Sequence, residues 1–156
     1  MRHSCGFSLP ELIAVILLIS ILAATALPKL QGVLSFRDDG WHDQVIAALR
    51  YAHKSAISHR RLVCAAIASG TVTLTIASTN PASACSTALP GLDGSSASAD
   101  SQGTAAAASV SPAGALYFQP SGRVTTDGAG SSAVVRTISI AGQSNIVLVG
   151  ETGRVD

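Results

Sequence analysis

The chain has 156 residues, of which 47% are hydrophobic, 4% aromatic and 12% charged, and its formal net charge is +1. That length fits one domain with an appendage; no basic excess points to nucleic acid, and no acidic excess points to a solvating tail. A mean hydropathy of +0.42 with so few charges means either an interior too large for the length or an apolar segment held apart from the rest.

The opening segment is the second of these. Phe7 to Leu30 is 24 residues with 17 apolar, and Leu12 to Ile19 is unbroken. From Leu12 to Leu27 only Ser20 and Thr25 interrupt, and both hydroxyls can bond back to their own helix. About 20 apolar residues span a bilayer core, a length this segment reaches only if Phe7 to Glu11 are included. Arg2 and His3 precede it and Lys29 follows. A positive start fits a cytoplasmic N-terminus and an exported remainder. Three readings compete. One is an ordinary secretory signal cut at Ala24-Thr25-Ala26, which would release a domain starting at Leu27. Another is a plain single-pass anchor. The third rests on Gly6-Phe7-Ser8-Leu9-Pro10-Glu11-Leu12, because a carboxylate at the start of an apolar stretch is costly in hydrocarbon and needs an offset.

Gly6-Phe7-Ser8-Leu9-x-Glu11-Leu12 followed by a long apolar helix resembles the signal of type IV pilins and type II secretion pseudopilins. The resemblance implies a leader, residues 1–6, removed by a prepilin peptidase that cuts between Gly6 and Phe7. It implies N-methylation of Phe7, an assembly role for the fifth mature residue, Glu11, and a mid-helix proline at Pro28. The physics is consistent with it. Cleavage leaves a cationic amine on Phe7, as costly alone in the bilayer as Glu11. In a filament the Glu11 of one subunit can meet the Phe7 amine of its neighbour, which offsets both penalties and sets register. A local reading stands beside it. Ser8, Pro10 and Glu11 fit a capping box, with Ser8 at N-cap and Glu11 three residues on.

Residues 7–30 are therefore expected as a transmembrane or filament-core helix and residues 31–60 as its amphipathic continuation. Pro28 and Gly32 predict a kink or local melting between the halves, and Gly40 a bend. Beyond them Leu34, Trp41, Val45, Leu49, Ala52 and Ala56 recur at spacings of 7, 4, 4, 3 and 4, one face of a helix. Arg37, Asp38, Asp39, His42, Asp43, Arg50, Lys54 and His59 take the other. His53, Lys54, His59, Arg60 and Arg61 form a basic cluster near the helix end. It complements the helix dipole or, alternatively, contacts phosphate. His53 and His59 are six apart, wrong for a helical metal pair, and no metal site or cofactor is expected.

Residues 61–156 are expected as a β-rich head. Arg61 to Ala68 and Thr71 to Ser78 are β-branched runs joined by a Ser69-Gly70 turn. Ala115 to Gln119, Val134 to Ile140 and Ile146 to Val149 follow as strands. From Asp93 to Ala113, 15 of 21 residues are Ala, Ser or Gly, so Pro81 to Ala113 is read as a surface loop with a low-complexity part at about 93–113. The fold class is α+β: a long N-terminal helix, half in the membrane and half amphipathic, packed on a small antiparallel sheet in the pilin manner.

Three cysteines look odd for an exported chain. Cys5 would leave with the leader, and Cys64 and Cys85, 21 residues apart, would pair in an oxidising periplasm. Two separate thiols are the alternative.

Phe118-Gln119-Pro120-Ser121-Gly122-Arg123-Val124 and the closing Ile146-Val147-Leu148-Val149 with Gly153-Arg154-Val155 resemble the minor group around pseudopilin H, FimT and the MSHA minor pilins. That implies a structural minor subunit of a type IV pilus or pseudopilus, at initiation or tip. Its implied partners are other pilin subunits, the prepilin peptidase, the inner-membrane assembly platform and lipid. FimT-like members bind DNA through a closing Gly-Arg-x-Arg; here Asp156 replaces the second arginine. DNA contact would rest on Arg60, Arg61, Arg123 and Arg154, and nucleic acid is not expected as a partner. No nucleophile elbow, P-loop, zinc-protease motif or paired carboxylates are present, so catalysis is not expected.

Overall fold

The structure, a computed structural model, describes residues 9–68, 70–91, 93–103 and 106–156, and helix side chains outside 26–35. The chain forms one helix followed by nine strands among the described residues. It divides into two compact units, Met1–Phe36 and Arg37–Asp156.

Helix α1 spans Leu9–His59, 51 residues. It runs through Pro28, Gly32 and Gly40 without ending, so the expected local melting does not occur. A proline removes a single hydrogen bond from the ladder, and a long helix continues on either side of it. The two hydroxyls of the apolar half bond back as expected. Ser20 Oγ donates to Ile16 O at 2.7 Å and Thr25 Oγ1 to Leu22 O at 3.0 Å, so neither presents an unpaired group to an apolar surrounding.

The strands are β1 (Val63–Ala68), β2 (Thr71–Ile76), β3 (Thr87–Leu89), β4 (Ala99–Asp100), β5 (Ala108–Ser111), β6 (Leu116–Phe118), β7 (Val124–Thr125), β8 (Arg136–Ile140) and β9 (Ile146–Leu148). All five expected strands form. The β1–β2 hairpin closes with Ala68 opposite Thr71. Two sheets replace the single sheet expected. The larger runs β3-β2-β1-β6-β7, with β4 also on β2; the smaller runs β5-β8-β9. Every pairing is antiparallel.

The composition-based reading of Pro81 to Ala113 as a surface loop is corrected. β3, β4 and β5 lie inside it, and Ala99, Ala106 and Ala108 are buried. Small side chains bury little area themselves, but they let the backbone come close enough to pair. Ser98 N donates to Val72 O, Ser101 N donates to Gly70 O, and Ser111 sits opposite Thr137. The segment is ordered by its partners' ladders, not by its own burial.

One core joins the helix to both sheets. Trp41, Val45, Leu49, Ala52 and Ala56, the face read from spacing, are all buried, as is Ala48. Against them pack Val63, Ala65, Val72, Leu74, Leu116 and Phe118 of the larger sheet, and Ile138, Ile140, Ile146 and Leu148 of the smaller. The side chain of Leu34 is outside the described set.

Candidate processing and assembly site

The N-terminal motif puts its chemistry at the start of α1. Gly6, Phe7 and Ser8 lie outside the described residues, as does the side chain of Pro28, so the cleavage point, the capping box and the proline are not placed. Glu11 stands in the first turn of α1, where a carboxylate complements the helix dipole.

Leu12, Ile13, Val15, Ile16, Leu17, Leu18, Ile19, Ile21 and Leu22 follow, each at least 44% exposed. Among the described residues nothing covers them. A helix that is apolar on every side belongs in lipid or among other apolar helices. Among the described residues no helix is long and apolar enough to cross a membrane.

The polar face of the second half is tied to the head. Arg37 Nη2 donates to Gln102 O. Gln143 Nε2 donates to Asp39 at 2.7 Å, Asp100 N to Gln44 Oε1 at 3.2 Å, and Arg50 Nη2 to Val155 O at 3.1 Å. His53 Nε2 donates to Gly122 O at 2.9 Å, its ring 6.3 Å from that of Phe118. The two expected halves of one disulfide meet. Cys64 on β1 and Cys85 before β3 are bonded, with Cα atoms 6.0 Å apart, which fastens the end of the 77–86 connection to the sheet.

The four arginines weighed for DNA contact divide into two kinds. Arg123 forms a two-point pair with Glu151 at 3.0 and 3.1 Å, and Arg154 pairs with Asp156 at 2.5 Å. Their charge is met by carboxylates of the same chain. Arg60 and Arg61 end the helix, exposed, Arg60 with φ of 51°. Among the described residues no group of three or more His, Cys, Asp or Glu could hold a metal. His53 is engaged with Gly122 and His59 is exposed.

Three features escaped the sequence reading. Arg136 is 2% exposed on β8, its guanidinium donating to Pro112 O and to Ala115 O. The signal was present, because Arg136, Ile138 and Ile140 alternate and so share the inward face. Gln119 Nε2 donates to Thr125 Oγ1 at 2.9 Å and to the carbonyls of Asp127 and Gly128, which knots the turn after β7. The carboxyls of Asp93 and Asp127 lie below the usual 3.8 because backbone N–H groups, of Ser95 and Ser131 respectively, bond to the ionised form.

The closing Gly153-Arg154 has a structural role. Gly153 has φ of +67°, and a Cβ there would stand 2.4 Å from Gly122 O and 2.4 Å from His53 Nε2. The tail turns back at this point, and Asp156 exchanges backbone hydrogen bonds with Val147.

Residues 1–27 match the family model of the prokaryotic N-terminal methylation motif. No curated protein and no solved structure shows significant similarity to the chain. The motif at residues 1–27 supports a type IV pilin-like N-terminus, and the long helix with its antiparallel head is consistent with that layout.

Proposed function

We propose that the chain is a minor structural subunit of a type IV pilus or a type II secretion pseudopilus, acting at initiation or at the tip. It enters the inner membrane with its N-terminus in the cytoplasm and its head in the periplasm. Prepilin peptidase cuts between Gly6 and Phe7, Phe7 is methylated, and residues 7–30 pass from lipid into a filament core on the assembly platform. The function is binding, without catalysis. The observation that carries this reading is the methylation motif joined to a helix whose large apolar residues from Leu9 to Leu22 all stay exposed.

Residue roles follow from charge. The Phe7 amine made by cleavage and the Glu11 carboxylate each carry a desolvation penalty, and pairing between neighbouring subunits offsets both. Glu11→Ala is expected to leave processing at Gly6 intact and to block incorporation into filaments. Normal incorporation of that variant would remove the charge-pair account. N-terminal sequencing of the mature protein tests the reading at its root. A methylated Phe7 is expected; a start at Leu27 would mean an ordinary secretory signal. Gly6→Glu is expected to leave the chain at its unprocessed size. The DNA-binding alternative gains no support from Arg123 and Arg154, which are already met by carboxylates.

A further inference from the structure

Within the unit Arg37–Asp156, helix α1 and the chain from residue 91 to 102 enclose a cavity of about 480 Å³. Gln44, Ala47, Ala48 and Tyr51 share one helix face and form one wall. Asp93, Ser95 to Asp100 and Gln102 form the other. That second wall is held by bonds of its own. Ser95 N donates to Asp93 Oδ1 and Gly94 N to Gly91 O, both at 2.9 Å. Ser98 N donates to Val72 O at 2.8 Å, and Asp100 N to Gln44 Oε1 at 3.2 Å. A Cβ on Gly91 would stand 2.9 Å from Ala97 O, so glycine lets the loop fold this tightly. The cavity is formed before any ligand arrives, and its volume is that of a small-molecule site.

Its polar groups are of both kinds. Gln44 uses its Oε1 on Asp100 N, and among the described residues its NH2 group has no partner. The same holds for the side-chain amide of Gln102 and the hydroxyl of Tyr51. Ser98 Oγ is buried without a partner, a state that costs stability until something bonds to it. Asp93 and Asp100 supply carboxylate acceptors. Ala47, Ala48 and the half-buried ring of Tyr51 supply an apolar wall.

Charge and hydrogen-bond inventory narrow the ligand. Among the described residues that line the cavity none is basic and two are carboxylates, so an anion is repelled. An ammonium suits the carboxylates but carries no acceptor for the amides and hydroxyls, and an exposed charge pair in water contributes little. A ring that bears several hydroxyls donates and accepts at each one and has an apolar C–H face to lay on an aromatic ring. We propose that the cavity between α1 and residues 91–102 is a binding site for one neutral hexopyranose unit of a glycan. The ring lies against Tyr51, and its hydroxyls bond to the amides of Gln44 and Gln102 and to the carboxylates of Asp93 and Asp100. This site is independent of the filament reading, since every group in it belongs to the unit from Arg37 onward.

The test uses the full-length chain in lipid nanodiscs free of glycoside detergents, with ligand-observed saturation-transfer NMR and empty nanodiscs as the baseline. The probes are methyl α-glucoside, methyl β-galactoside, N,N′-diacetylchitobiose, galacturonate and butylammonium. At least one of the three neutral glycosides is expected to bind with Kd on the order of 1 mM, unchanged by salt, with no transfer to galacturonate. Binding by chitobiose alone points to a cell-wall type of glycan, and binding by a plain hexoside to a glycan without N-acetyl groups; either supports the site. Tyr51→Ala and Asp93→Asn are each expected to weaken binding roughly three- to tenfold. Tyr51 also packs on the core, so Ala47→Phe serves as the second variant. Ala47 is exposed, and a phenyl group there fills the cavity while leaving the unfolding midpoint in place; binding is expected to disappear. No transfer to any neutral glycoside would overturn the proposal. So would undiminished transfer in Ala47→Phe, or binding of butylammonium in preference to the glycosides with a loss as salt is raised.

Discussion

At the scale of single residues, backbone geometry makes a firm demand at Gly153. Gly153 needs a positive φ and has Gly122 O and His53 where a side chain would begin. Gly153→Ala is expected to destabilise the head by about 2 kcal/mol or more, read as a lower midpoint in denaturant. Gly40 is the opposite case. It lies within α1 and a Cβ there meets nothing within 4 Å. Gly40→Ala is expected to stabilise by about 0.5–1 kcal/mol through helix preference alone, as a rise in the same midpoint. Asp127 provides a third prediction. Its folded pKa is depressed, chiefly by the Ser131 N–H. The linkage therefore favours the fold above the unfolded value near 3.8 and fades as pH falls through the lower folded value. A carboxyl titration by NMR should place its midpoint below 3.8, and Asp127→Asn should remove the local pH response of the Ser131 amide.

At the scale of elements, the helix was the most legible part of the sequence and the serine–alanine stretch the least. Spacings of three and four picked out Trp41, Val45, Leu49, Ala52 and Ala56, because burial against a sheet selects one face of a regular helix. β-Branched runs located β1, β2, β6, β8 and β9. β3, β4 and β5 carried no such pattern, since alanine and serine have weak strand preference and their pairing was decided by distant partners; β7, Val124–Thr125, is only two residues long. Strand order was illegible for the same reason: β1 pairs with β6 across a long stretch of chain. Arg136 was passed over because it is charged, although alternation placed it with Ile138 and Ile140. The cysteines were legible by arithmetic. Their bond closes a 21-residue separation, and Cys64→Ser with Cys85→Ser is expected to cost about 3 kcal/mol in the chain-entropy account, measured by denaturant unfolding of the oxidised and substituted chains.

At the scale of the whole molecule, the positive hydropathy has a location. The apolar excess sits on the exposed first half of α1, whereas the unit from Arg37 onward is neutral and poor in aromatics. The motif that marks the processed N-terminus was readable because it is a contiguous run of residues.

The Cys64–Cys85 bond has a further use. Thiols stay reduced in the cytoplasm and become oxidised beyond the inner membrane. On the proposed topology, with the head exported, each chain would carry a chemical record of the side its head has reached. Heads still inside would take up an alkylating reagent at Cys64 and Cys85 without prior reduction; exported heads would take it up only after reduction. The ratio of the two, followed after a pulse of synthesis, times the crossing of the head independently of the trimming of the N-terminus.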